Sequence, residues 1–199
     1  MLEHGGRLLR AAVATGTRVD DWLDLSTGIN PIPWPIPALP SSCWSRLPED
    51  EDGLTDLACR YYGARSLLPV NGTQSAMQII PKLRPAGRVA VLSPAYAEHA
   101  HGWKLAGHNL IEPNLVELES CLDYCDVVVV VNPNNPTGTL LSAERLLGWL
   151  ERLQSRGGWL IVDEAFMDAT PEYSLAQETD REGLIVLKSF GKFFGCPGA

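Results

Sequence analysis

Residues 126–138 read DVVVVVNPNNPTG: five valines in succession, then a polar turn built on two prolines and a glycine. Apolar residues in succession, rather than in alternation, mark a strand covered on both faces, which is how strands of a parallel sheet are buried. The run Val127–Val131 is far too short to cross a bilayer. In the turn after it, Pro133 and Pro136 fix the backbone on either side of Asn135. Such a frame suits a side-chain amide aimed at a ligand; a tight turn with no ligand is the alternative.

A parallel strand needs neighbours. RVAVLSP at 88–94, WLIVDEAF at 159–166 and GLIVLKSF at 183–190 supply three more. Helical patterns lie between them. LSAERLLGWLERLQSRGG at 141–158 has Ser142 as N-cap, Glu144 in the first turn and Gly157 at the stop. Upstream, LLRAAVAT and GLTDLACRYYG read as helices, and Asn71-Gly72-Thr73 opens another. Strands alternating with helices predict right-handed crossovers and an α/β fold with a mostly parallel sheet flanked by helices. The five prolines between Pro31 and Pro40 exclude a helix or central strand there. They read as a stiff arm crossing a surface, with a polyproline ligand as the alternative.

The chain has 199 residues, enough for a sizeable core, and a net charge of -8 with no basic run, which argues against a nucleic-acid partner. The N-terminus lacks the apolar core of a signal peptide, so the expectation is a cytoplasmic protein with no membrane partner. The five cysteines form no paired framework. Cys121 and Cys125, taken as one helical face, read as reduced structural thiols, and no metal site is expected.

In open parallel sheets, ligands bind where strands end and loops begin. Here the strand ends carry NPNNPTG, Asp163-Glu164 and KSFGK, while NGTQ at 71–74 opens a helix whose free N–H groups suit a phosphate. A plain cap by Thr73 is the alternative. Asp163, a carboxylate after an apolar strand, needs a cation or a strong donor to stay ionised; Lys192 and a protonated ring nitrogen are the candidates.

Taken together and in order, NGTQ, PAYAEH, NPNNPTG, VDEAF and SFGK resemble the pyridoxal-phosphate-dependent aminotransferases of fold type I. LEHGGRL, LSTGINP, RLPEDEDGL, YYGA, YAEHAHGW and SFGKFFG, spread from Leu2 to about Gly195, are similar to the threonine-phosphate decarboxylase subgroup, which lies close to the histidinol-phosphate aminotransferases. The resemblance implies pyridoxal 5'-phosphate as cofactor. Lys192 would carry it covalently and act as acid–base, and Asp163 would pair with its ring nitrogen. Asn135 would bond its 3′-oxygen, Tyr96 would stack on its ring, and Gly72, Thr73, Gln74 and Ser189 would hold its phosphate. His4, Gly5 and Asn30, with Asn135, would meet a phosphorylated amino acid substrate. His99 and His101 read as plain helix residues. Phe166 departs from the wider pattern, where a tyrosine often stands, so Asn135 would carry the 3′-oxygen contact without help.

The implied activity is decarboxylation of O-phospho-L-threonine to 1-aminopropan-2-yl phosphate in cobalamin biosynthesis, by a homodimer. A histidinol-phosphate-type aminotransferase and an inactive fragment or cofactor-binding module are the alternatives. Residues 1–50 would form an N-terminal arm and 51–199 an incomplete cofactor-binding domain, with the C-terminal small domain largely missing. The family pattern after the lysine runs aromatic-Gly-Leu-Ala-Gly-Leu-Arg; here Gly195 is followed by Cys-Pro-Gly-Ala. The expectation is a premature end or frameshift near residue 195, and a chain inactive by itself.

Overall fold

A computed structural model describes residues 5–49 and 51–198. Its centre is a sheet of five parallel strands: β1 (Arg88–Val91), β2 (Asn109–Ile111), β3 (Val127–Val131), β4 (Trp159–Asp163) and β5 (Leu184–Leu187), in spatial order β2-β1-β3-β4-β5. The valine run is the middle strand and is buried along its whole length. Val131 lies opposite Asp163, and Asp163 opposite Leu187, so three strand ends stand level.

Seven α-helices accompany the sheet: α1 (Leu8–Thr15), α2 (Ser42–Ser45), α3 (Leu54–Tyr62), α4 (Gly72–Ile79), α5 (Ala97–Leu105), α6 (Leu115–Cys121) and α7 (Ala143–Gln154), counted among the described residues. Alternation along the strands divides the core in two. Val128, Val130, Leu160 and Val162 face one side and pack with Leu118 of α6 and Leu146, Trp149 and Leu150 of α7. Val127, Val129 and Ile161 face the other and pack with Met77 of α4 and Trp103 of α5. Strand side chains alternate faces, so a strand covered on both sides must be apolar throughout.

Ser142 caps α7 as expected, its hydroxyl accepting from Arg145 N at 3.3 Å. Among the α-helices and strands, three were not read from the sequence: α2, β2 and α6. Strand β2 is a three-residue edge, too short to show a period. Helix α6 opens on a capping box in which Asn114 and Glu117 satisfy each other's backbone N–H groups. Cys121 is the last residue of α6 and Cys125 lies in the turn beyond it, so the pair is not two positions on one helix. No helix among the described residues is long and apolar enough to cross a membrane.

The proline-rich segment has no helix or strand from Pro31 to Pro40. It is anchored at one point. Asn30 N donates to Lys192 O at 3.0 Å and Trp34 N donates to Phe194 O at 2.8 Å. The Asn30 side chain donates to Phe193 O at 2.8 Å.

Candidate active site

All five strands point the same way, so the loops after β1, β3, β4 and β5 gather along one edge. The order reverses between β1 and β3, and the loops leaving these two strands part there; in such sheets that crevice is where ligands bind. Asn134 staples the crevice: its amide donates to Pro94 O at 2.9 Å and to Thr137 Oγ1 at 2.8 Å. Asn132 pairs with both backbone groups of Leu141, at 3.0 and 2.8 Å. Two buried asparagines thus brace the NPNNPTG loop, while Asn135 is exposed at its tip. The sequence singled out Asn135 and missed the two residues that hold its loop.

Asp163 ends β4 and is 3% exposed. Its Oδ2 lies 2.8 Å from Nε2 of His99, which is 2% exposed, and its Oδ1 accepts from Ala165 N at 3.0 Å. An ionised carboxylate only accepts, so Nε2 carries the proton and donates. The donor that Asp163 requires is therefore a histidine in the first turn of α5. This replaces the expectation that His99 is a plain helix residue. The signal lay in YAEH: three residues separate Tyr96 from His99, one helical turn, so both approach the same strand end.

Tyr96 precedes α5, with its ring edge-on to His99 at 6.4 Å between centroids. Burial chiefly, then the charges of Glu98 and Asp163, raise the phenol above its ordinary value of 10.0. Tyr96 is therefore neutral at physiological pH. A cavity of about 150 Å³ opens beside it, lined also by Ser93, Pro94 and Glu112.

Helix α4 begins at Gly72, whose φ of +74° is left-handed. No side chain caps its first turn. Thr73 is inside the helix and is not its cap; its hydroxyl donates to Lys188 O at 3.3 Å, joining α4 to the end of β5. Gln74 donates to Glu98 at 2.8 Å. Uncapped N–H groups at a helix start suit an anion.

Lys192 sits half-buried in the turn after β5, its Nζ 5.9 Å from the centre of the Phe166 ring. Ser189 Oγ accepts from Gly191 N at 3.1 Å and so shapes that turn. A Cβ on Gly28 would meet the Phe166 ring at 2.7 Å, so the Ser-Thr-Gly segment lies directly against it. Gly6 N donates to Ser26 Oγ at 2.8 Å, and a Cβ on Gly5 would strike Ser26 O. The fold thus leads Gly5, Ser26, Gly28, Phe166 and Lys192 in a chain of contacts. Asn30 joins it, but its amide is spent inside the protein, with Nδ2 on Phe193 O and Oδ1 on Ile32 N. His4 lies outside the described residues.

The family model for aminotransferase class I and II matches residues 50–199. A threonine-phosphate decarboxylase of Pseudomonas aeruginosa is 59% identical over all of this chain. The chain spans 60% of that relative's length. A histidinol-phosphate aminotransferase of Desulfitobacterium hafniense is 28% identical over 88% of the chain and 55% of its own length. The crystal structure of L-threonine-O-3-phosphate decarboxylase from Porphyromonas gingivalis superposes with a TM-score of 0.67 at 22% identity, covering 79% of this chain and 52% of that one. The order of strands, the motifs at their ends and the match over residues 50–199 agree: the chain belongs to the aminotransferase class I and II family, on the fold of the type I pyridoxal-phosphate enzymes.

Proposed function

We propose that the protein is a pyridoxal-phosphate-dependent decarboxylase of O-phospho-L-threonine, working in cobalamin biosynthesis. The observation that carries the choice of reaction is the 59% identity with a threonine-phosphate decarboxylase across this whole chain, against 28% with a histidinol-phosphate aminotransferase.

The residues present suit the cofactor. Asp163 has one bond on each oxygen and keeps acceptor capacity for a further donor. The first turn of α4 has no side-chain cap. Tyr96 offers an aromatic face and Lys192 a primary amine. Bound here, pyridoxal phosphate supplies a ring that accepts electrons from a bond to the substrate Cα.

The chain's own residues do the rest. Asp163, oriented by His99, presents an anion suited to a protonated ring nitrogen. Lys192 offers the amine that holds an aldehyde and, once released, carries a proton. Gly72, Thr73, Gln74 and Ser189 surround the place for a phosphate, and Asn135 offers an amide to the 3′-oxygen. His4, Gly5 and Asn30 are assigned to the substrate end. Asn30 acts there through the backbone it braces, since its amide is already engaged. Residues 1–50 act as an arm over a cofactor-binding unit formed by 51–199, and the working form is a cytoplasmic homodimer.

The test uses a full-length form of the protein with pyridoxal phosphate and O-phospho-L-threonine, since the 199 residues span 60% of the relative's length and are expected to be inactive by themselves. Release of CO2 with 1-aminopropan-2-yl phosphate is expected, and Lys192→Ala should abolish it together with borohydride trapping of the cofactor. Amino transfer to a keto acid without CO2 would replace the decarboxylase with an aminotransferase. Trapping retained in the Lys192→Ala variant would remove Lys192 from its role.

A further inference from the structure

Lys188 and Glu164 have no part in the site as drawn so far. They stand one residue beyond the ends of β5 and β4, and each follows or precedes a residue that the site uses. Glu164 is fully buried. Its Oε1 accepts from Leu175 N at 2.7 Å, and its Oε2 accepts from Ser174 Oγ at 2.5 Å and from Lys188 Nζ at 3.1 Å. Burial of a carboxylate is tolerable only while donors and a cation accompany it. That cation is Lys188, itself 11% exposed.

The ammonium of Lys188 is fixed on more than one side. It lies 4.8 Å over the ring of Tyr62 in α3. Its charge also holds down the carboxyl of Asp168, which burial raises. The backbone of the same residue is engaged as well, because Lys188 O accepts the Thr73 hydroxyl. One residue thus ties the end of β4, the end of β5, the start of α4 and helix α3. Asp163 is the neighbour of Glu164, Ser189 is the neighbour of Lys188, and Lys192 follows in the same turn.

We propose that Lys188 is a positioning residue, which through its buried pair with Glu164 fixes the Ser189–Lys192 turn relative to Asp163 and the start of α4. The inference rests on the cofactor role of Lys192 given above. Alternation supports it. Asp163 faces the α5 side and Glu164 the opposite side, where Leu175 joins the core. The pair therefore secures the strand ends from behind, leaving the front to a ligand.

The experiment compares the parent with Lys188→Met, Lys188→Arg and Leu150→Ala, a core variant in α7 with no bond to Lys188 or Glu164 that serves as a stability control. Each is incubated with pyridoxal phosphate and reduced with borohydride. Labelling of the Lys192 peptide is followed by mass spectrometry at a temperature where every variant is folded, and melting temperature is measured alongside. Lys188→Met should label at least tenfold more slowly than the parent. Lys188→Arg, which keeps the cation, should stay within threefold. Leu150→Ala should melt lower yet label as the parent does. Parent-like labelling of Lys188→Met overturns the proposal, and so does a loss in Leu150→Ala that matches its drop in melting temperature. If Lys188→Met does not fold, Glu164→Leu/Lys188→Met, which removes both charges together, takes its place with the same two outcomes. A parent that takes no label at Lys192 refutes the cofactor role itself, a result distinct from equal labelling of parent and variant.

Discussion

Asn30 donates its backbone N–H to the carbonyl oxygen of Lys192, at 3.0 Å. With Trp34 N on Phe194 O at 2.8 Å, the N-terminal strap runs beside the lysine turn as a short two-bond ladder. The Asn30 amide closes it by reaching Phe193 O, and the ring of Trp34 stands edge-on to Phe194. The prolines that follow cannot donate further bonds, so the ladder ends where the strap leaves the turn.

Asn30→Ala should therefore loosen the strap without unfolding the sheet. It removes two side-chain bonds, each worth about 0.5–1.5 kcal/mol. Faster proteolysis within residues 17–41, with little change in core stability, is the expected result. Unchanged cleavage would show that the strap is held by its backbone bonds and aromatic contacts alone.

Gly195→Ala should do more. Gly195 has a φ of +66°, and an added Cβ would sit 2.7 Å from Pro33 Cα and 2.8 Å from Asn30 O. Both the backbone conformation and the space require glycine, and a cost of at least about 1 kcal/mol is expected. A melting temperature equal to the parent's would mean that strap and turn move apart freely.

His99→Ala should leave Asp163 buried without its side-chain donor, a loss of about 3–5 kcal/mol for a broken buried pair. His99→Gln keeps an N–H donor and should recover part of it. Asp163→Asn should fold, since an amide oxygen still accepts from His99, but should turn over substrate far more slowly because the anion is gone. Near-normal kcat in Asp163→Asn would move the cofactor's anion elsewhere.

Asp168 gives a pH dependence with a defined sign. Burial raises its carboxyl above the ordinary 3.8, and the Lys188 charge offsets part of this. An acid whose folded pKa is raised binds its proton more tightly in the folded chain. Stability then falls as pH rises from 3.8 through the raised value, and the penalty is complete above it. Asp168→Asn should melt higher than the parent at pH 7, with the gain vanishing in acid. A lower melting temperature at pH 7 would show that attraction to Lys188 outweighs burial.

Cysteine reactivity should divide by burial. Burial chiefly, and then the neighbouring Cys121, push the Cys125 thiol up to about 11. Since the thiolate is the nucleophile, only roughly one part in a thousand is reactive at pH 8. Exposed Cys43 should alkylate quickly and Cys125 only on unfolding. Rapid labelling of Cys125 in the folded protein would contradict the packing of β3 against α6 and α7.

Local order was readable because its causes are local. Five valines in succession can only be a strand covered on both faces, and Ser142 before an apolar period can cap its own helix. The placement of Asp163 at a strand end, and of Lys192 in the turn after β5, followed from the same reasoning. Pairings between distant elements were not readable. Whether His99 or Lys192 would stand against Asp163 depended on which helix crosses which face of the sheet. The sequence marked Glu164 and Lys188 as polar residues at two strand ends but did not pair them; only parallel pairing of β4 with β5 puts them 3.1 Å apart. Asn30 read as a substrate contact, and only the fold showed its amide engaged with Phe193 O and Ile32 N. A residue's own period is set by its neighbours in sequence, whereas its partner is set by strand order and crossover. Those emerge only when the whole core is buried at once.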